Sequence, residues 1–348
     1  MAKIFTSEAQ KMSVFQSSAC LIIFVVILCL FPNTNASVET NTRKFEGYFP
    51  TISVDPSGGG NFTRIQAAID SVPSYNKNWI CIHIKAGTYR EKIRIPYDRP
   101  LIYLKGEGQR RTTVTWDDHD SIETSSTFIS YADNIVVRGI KFVNSYNQPP
   151  GKSVNPMQPA VAGNFQGDKY VFVDCGFIGY QDTLWDVQGR HYFKSCTIQG
   201  AVDFIFGSGQ SIYEECIISV VAGSLGVPGF ITAQGRSSPG EANGFVFKRC
   251  NISGDGKTFL GRPWRNFARV VFANSIMSEI VVPQGWDPWF SVGHEDKLTY
   301  DEHNCRGPGS DLSRRVKWAN TATQNVLNRL ISRKFIDNEG WIKDWMVA

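Results

Sequence analysis

The 348-residue chain has no pair of cysteines two residues apart, no Gly-x-Ser-x-Gly element and no long run of lysine and arginine. The first absence argues against a zinc knuckle. The second removes the nucleophile elbow of a serine hydrolase, and the five histidines (83, 119, 191, 294 and 303) stand in unrelated contexts. The third, with a net charge of only +4, leaves no electrostatic footprint for nucleic acid. Two short motifs also fail on inspection. Gly256-Lys-Thr258 resembles the end of a P-loop, but position 251 is Asn where that loop needs its first glycine. Asp117-Asp-His-Asp120 is contiguous and unaccompanied by other ligands, so it reads as a solvated loop rather than a metal site.

Long hydrophobic runs are scarce too. The only marked one, Ala19 to Phe31, is preceded by Lys3 and Lys11 and followed by Pro32 and Thr34-Asn35-Ala36. It falls short of the roughly 20 residues that span a bilayer, so no stable membrane association is expected. Its flanks suit a signal peptide over residues 1–36, with cleavage after Ala36, a linker over 37–48 and one catalytic domain over 49–348. Secretion is therefore expected, with an uncleaved anchor as the competing reading because residues 1–18 are long for such a segment. Outside this segment stand Cys81, Cys175, Cys196, Cys216, Cys250 and Cys305, an even number that permits disulfides whose pairing sequence cannot give. Asn61-Phe-Thr and Asn251-Ile-Ser are candidate glycosylation sites.

What the chain does have is a repeat. A short helix is expected first, from Ile65, Ala68, Ile69 and Val72 at helical spacing before Pro73. Short β-branched runs such as Ile80-Cys-Ile-His-Ile84 follow. Tyr170-Val-Phe-Val-Asp-Cys-Gly-Phe-Ile-Gly179 is then echoed by His191-Tyr-Phe-Lys-Ser-Cys-Thr-Ile-Gln-Gly200, by Ser211-Ile-Tyr-Glu-Glu-Cys-Ile-Ile-Ser219, and loosely by Gly244 to Ile252. The cysteine intervals are 196 − 175 = 21 and 216 − 196 = 20, a period that marks a solenoid. The leucine-rich pattern is missing and no helices intervene, so the predicted fold is all-β: a single-stranded parallel β-helix with short terminal helices. Cys175, Cys196 and Cys216 should stack inside it, as small core residues or as disulfide partners. The repeat fades after Pro283, and Val326, Leu327, Leu330 and Ile331 suggest a helix packed along the solenoid, with an aromatic tail ending near Trp345.

The same period places chemistry. Asp182 lies seven residues beyond Cys175 and Asp203 seven beyond Cys196, so the two stand on adjacent rungs, roughly 5 Å apart. Carboxyls that close do not both ionise cheaply, and one proton donor beside one carboxylate suits nucleophilic attack with proton transfer. A pair of solvated turn aspartates is the competing reading. Gln181 offers an amide beside the first aspartate, Phe204-Ile-Phe206-Gly207 follows the second, and Leu260-Gly-Arg-Pro-Trp264 adds a guanidinium and an indole. Together they describe a site for an acidic sugar.

Five segments in order carry a resemblance: Gly87-Thr-Tyr-Arg-Glu91, Gln181-Asp-Thr-Leu184, Asp203-Phe-Ile-Phe-Gly207, Leu260-Gly-Arg-Pro-Trp264 and Gly285-Trp-Asp-Pro-Trp289. Over roughly Phe49 to Trp341 the chain resembles the plant pectin methylesterases. The resemblance implies a right-handed parallel β-helix, no cofactor or metal, and hydrolysis of C6 methyl esters of homogalacturonan in the plant cell wall. It casts Asp203 as nucleophile, Asp182 as proton donor and general acid–base, Gln181 as oxyanion stabiliser and Arg262 as the residue orienting Asp203. Trp264, Trp185 and Phe206 would line the sugar groove. It further implies methylated pectin and a proteinaceous inhibitor as partners; a monomer is the default. An inhibitor-like pro-region of the kind many plant members carry is not expected ahead of residue 49.

One position departs from the pattern. The family's second oxyanion glutamine directly precedes an Ala-Val-Ala stretch, but here Pro159 precedes Ala160-Val-Ala162 and Gln158 sits one residue earlier. A one-residue shift in a strand turns a side chain to the other face. Either the chain bulges at Pro159 and rescues Gln158, or that donor is missing. Two other readings stay open: a β-helical galacturonan hydrolase or lyase, and a weakly catalytic wall-binding protein.

Overall fold

A computed structural model describes residues 49–147 and 156–345. The expected leader and linker, residues 1–48, lie outside the described residues. The chain winds as a right-handed parallel β-helix in which each coil gives one strand to each of three sheets, of ten, eight and seven strands. One coil shows the pattern: Tyr170–Val173 joins the ten-stranded sheet, Gly176–Ile178 the eight-stranded and Leu184–Asp186 the seven-stranded; Arg190–Lys194 then begins the next coil. All pairings are parallel, and successive coils lie in register, as in Tyr170↔His191 and His191↔Ser211.

The corner between the first and second strands of each coil is a single left-handed residue. Asp174, Ser195, Glu215, Arg249 and Asn274 hold φ between +51° and +55° at equivalent places. Such backbone is mildly unfavourable for residues with a Cβ, so its recurrence means the stacking above and below enforces it. The next residue points inward. Cys175, Cys196, Cys216 and Cys250 fill this place and are buried, and each thiol donates to a carbonyl of the previous coil at 3.3–3.5 Å. The cysteines are thus core donors, and among the described residues all six are free thiols.

Beside this column runs an aromatic one. Phe172, Phe193, Tyr213, Phe247 and Phe272 stack with centroids 4.5–4.7 Å apart and planes within 11°. Their spacing is the strand-to-strand distance, so one ring per coil continues the core without voids.

The repeat persists longer than its sequence signal. Thr299–His303 pairs with Arg269–Ala273 and extends the ten-stranded sheet, and Cys305 returns to the thiol column through Phe272 O at 3.4 Å. Periodicity is lost there because the last coil replaces its other two strands with turns, single bridges and 3-10 segments.

Both terminal helices form. Ile65–Asp70 buries Ile65, Ala68 and Ile69, and the Glu91 carboxylate accepts from its first amides at 2.9 and 3.2 Å. Gln324–Ile331 lays Leu327 and Leu330 on an outward-facing apolar column of the ten-stranded sheet that includes Val171, Tyr192 and Ile212. The aromatic tail behaves as expected, Trp345 packing edge-on to Trp79 and Tyr103.

Candidate active site

The corner between the second and third strands of a coil is where the two aspartates stand. Gln181 bridges Val202, and the amides of Asp182 and Leu184 donate to Val202 O and Phe204 O at 3.1 and 2.9 Å. Leu184 is level with Ile205, so two residues back Asp182 is level with Asp203. Both aspartates adopt left-handed backbone, φ +57° and +48°. Their short polar side chains tolerate this conformation better than most.

Burial makes the pair unequal. Asp182 is pushed up to about 8 by burial, then by the charge of Asp203, against a smaller downward pull from Arg262. Asp203, 8% exposed, is also raised by burial. There Arg262 opposes the rise strongly, with Nε and Nη2 donating to the two carboxylate oxygens at 2.8 and 2.5 Å; Asp287 adds a smaller upward push. Near neutral pH the geometry therefore holds a protonated Asp182 beside an arginine-paired Asp203 carboxylate.

Arg262 is itself clamped. Its guanidinium carbon lies 4.0 Å from the Phe230 ring centre and 3.9 Å from that of Trp289. Trp289 owes its place to Asp287, whose carboxylate accepts the Trp289 amide at 2.8 Å and holds that residue at φ +43°. Phe230, Asp287 and Trp289 had no assigned role from sequence. Gly285-Trp-Asp-Pro-Trp289 was visible as a segment, but nothing in it says that its second indole covers an arginine. Phe230 left no signal at all.

The groove residues share one face. Asn164, Trp185, Phe206, Ala233 and Arg262 occupy one register column of the seven-stranded sheet. Trp185 and Phe206 stack at 5.4 Å and 15°, and Phe206 meets Trp264 edge-on at 5.9 Å. With Val161, Ala233 and Ile122 they form an apolar wall on the outer surface beside the aspartates.

Gln181 is half-buried one residue before Asp182, and its carbonyl accepts from Ala160 N at 3.1 Å. Gln158 is exposed, and its main chain is held on both sides by the Asn147 amide, at 2.7 and 3.3 Å. The ladder sets Ala160, not Gln158, level with Gln181. The Asp117–Asp120 run makes ion pairs with the neighbouring coil, Asp117 with Arg90 and Asp118 with Lys92.

Sequence also gave no hint of a polar cluster sealed inside the coil. Asp186 is hydrogen-bonded to His191 Nδ1 at 2.6 Å and accepts from Tyr213 OH at 2.7 Å, while His191 Nε2 donates to Gly167 O at 2.8 Å. All three side chains are fully buried, and the cluster fixes the far end of the strand that begins at Leu184, just past Asp182.

The solenoid thus sets two stacked, unequal carboxyls next to an aromatic face on its outer surface. Residues 51–339 match the family model described as pectinesterase. The chain is 52% identical to probable pectinesterase 29 of Arabidopsis thaliana, across 93% of this chain and 97% of that one. It is 53% identical to probable pectinesterase 55 of the same plant, across 84% and 90%. Among solved structures, pectin methylesterase from carrot superposes with a TM-score of 0.78 at 30% identity, covering 84% of this chain and 95% of that one. The enzyme from Aspergillus niger gives 0.73 at 29% identity, covering 85% and 96%. The chain belongs to the pectinesterase family, and is thus a carboxylic ester hydrolase.

Proposed function

We propose that the protein removes methyl groups from C6 of homogalacturonan in the plant cell wall through an aspartyl acyl-enzyme. One observation carries this reading: on adjacent rungs, Asp182 is held protonated near neutral pH while Asp203 is paired with Arg262. An Asp203 oxygen attacks the ester carbonyl carbon, and the carbonyl electrons move onto oxygen, which the Gln181 amide stabilises. Collapse breaks the bond to the methoxy oxygen, and Asp182 gives that oxygen its proton, releasing methanol. Asp182, now a carboxylate, takes a proton from water as the water oxygen attacks the acyl carbon. The second collapse frees Asp203 and the C6 acid. Trp185, Phe206 and Trp264 support the sugar rings.

Gln158 is not needed in this scheme: Gln158→Ala should leave turnover within about twofold, whereas removal of an oxyanion donor lowers it by roughly 100-fold or more. The reading also takes residues 1–36 as a leader that directs residues 49–348 to the wall, and the exposed Asn61 and Asn251 as positions open to glycans.

Methanol release from highly methylated pectin tests the whole proposal. The wild type should release methanol without shortening the polymer, and Asp203→Ala should not. A shortened polymer would favour a glycosidase or lyase instead; binding with no methanol across a pH range would favour a wall-binding protein.

A further inference from the structure

Past Trp264 the wall turns a corner rich in cations. Arg265 lies over the Trp264 ring at 5.1 Å. Phe267, two residues on, gives its carbonyl to Arg236 Nη1 at 3.0 Å. Arg236 is 4% exposed, and its other donors also go to main-chain carbonyls, of Glu241 and Pro239. Arg269, beside it, donates Nη1 to the carbonyls of Ala242 and Asn243 at 3.1 and 3.2 Å, while its buried Nε has no acceptor. Arg269, Arg329 and Lys334 line a cavity of about 790 Å³ between this corner and the C-terminal helix.

One acid stands on the cavity wall, with its charge felt by Arg236, and the acids further out are paired with other cations. Glu241, on its wall, accepts from the Ser237 amide and hydroxyl at 3.0 and 2.7 Å. Glu339 pairs with Lys169 and Arg190, and Glu214 with Lys248, Arg249 and Arg333. Among the described residues, Arg236, Arg265, Arg269, Arg329 and Lys334 thus have no carboxylate within ion-pair distance. A scattered surface lysine needs no partner. Arg269, half withdrawn from water, faces this concavity together with the exposed Arg329 and Lys334, and a partly desolvated charge among others of its sign is unfavourable until an anion neutralises it. Burial together with Arg236 and Arg329 already holds Arg269 down to about 10.

We propose that this cavity binds the carboxylates of de-esterified galacturonan. The inference rests on pectin being the substrate. Demethylation turns a neutral polymer into a polyanion, and the basic corner begins where the aromatic groove ends. A chain leaving the groove past Trp264 and Arg265 would meet Arg269, Arg329 and Lys334 next, so demethylated stretches hold the enzyme on the polymer.

The test is titration of fully de-esterified decagalacturonate into the intact protein and into Arg329→Gln/Lys334→Gln, two exposed positions whose side chains play no part in the core. Binding should weaken roughly tenfold in the variant, with a shallower dependence on salt. Methanol release from a methylated trimer, too short to leave the groove, should be unchanged. Arg269→Gln, checked for an unaltered melting curve, should weaken decagalacturonate in the same way. Equal binding by wild type and both variants would overturn the proposal, as would an identical loss with poly-glutamate of matched charge, which marks a general anionic surface. A wild type that releases no methanol from methylated pectin would instead defeat the parent reading, whatever the titration shows.

Discussion

Asp182 behaves unlike a surface carboxyl because folding favours its proton. Its folded pKa, about 8, lies above the ordinary 3.8. A raised acid pKa contributes stability in full below the unfolded value, and that contribution drains away as pH climbs from about 4 towards 8. Asp182→Asn, which mimics the protonated form, should melt above the wild type by a margin that widens with pH across this window. Thermal melts at pH 4, 6 and 8 check it; a constant margin would mean the carboxyl titrates normally. Activity should show the complementary profile. On the proposed mechanism turnover should rise as Asp203 ionises, somewhere above 3.8, and fall near pH 8 as Asp182 loses the proton it would give to methanol. The clamp on Arg262 makes a third statement at this scale. Trp289→Ala should lower kcat by roughly tenfold to a hundredfold with a much smaller change in KM, because a loosened guanidinium no longer orients Asp203. The acidic limb should also move to higher pH, since Arg262 is what opposes the burial of that carboxyl. A change confined to KM would show that Trp289 only touches sugar.

Among the elements, the C-terminal helix is the piece most easily judged from its contacts. Leu330 is 1% exposed and packs on the outer face of the ten-stranded sheet. Leu330→Ala should destabilise by about 2–4 kcal/mol, the usual range for a buried leucine, read as a lowered denaturation midpoint. The coil corners at Asp182 and Asp203 are less forgiving: a β-branched residue in left-handed backbone is strained, so Asp203→Val should harm folding beyond the loss of charge.

For the molecule as a whole, the solenoid was legible because one coil is one sentence repeated. The cysteine interval sets the rung length, and rung length alone puts Asp182 over Asp203. Contacts that do not follow the repeat were not legible. Phe230 and Arg262 lie on paired strands, Gly229–Gln234 and Thr258–Pro263, but Trp289 joins them from the irregular segment beyond the last strand of that sheet, and no period announces such a segment. The Asp186, His191 and Tyr213 cluster escaped for a related reason: inward and outward positions alternate in strands this short, and three polar residues can face the interior without disturbing the pattern. The last coil shows the converse, a rung present in space after its signal has gone.

The column of thiols has a consequence for experiment. With no disulfides among the described residues, reductant should leave the melting temperature unchanged. Each buried cysteine is instead silent to an alkylating reagent until its own coil opens. Cys305, half-buried at the C-terminal end of the column, should react first. Cys196 and Cys216 should react last if the solenoid frays from its ends, whereas simultaneous labelling would mean that it opens all at once. Mass spectrometry of partly alkylated protein would therefore read out where along its axis the molecule begins to unwind.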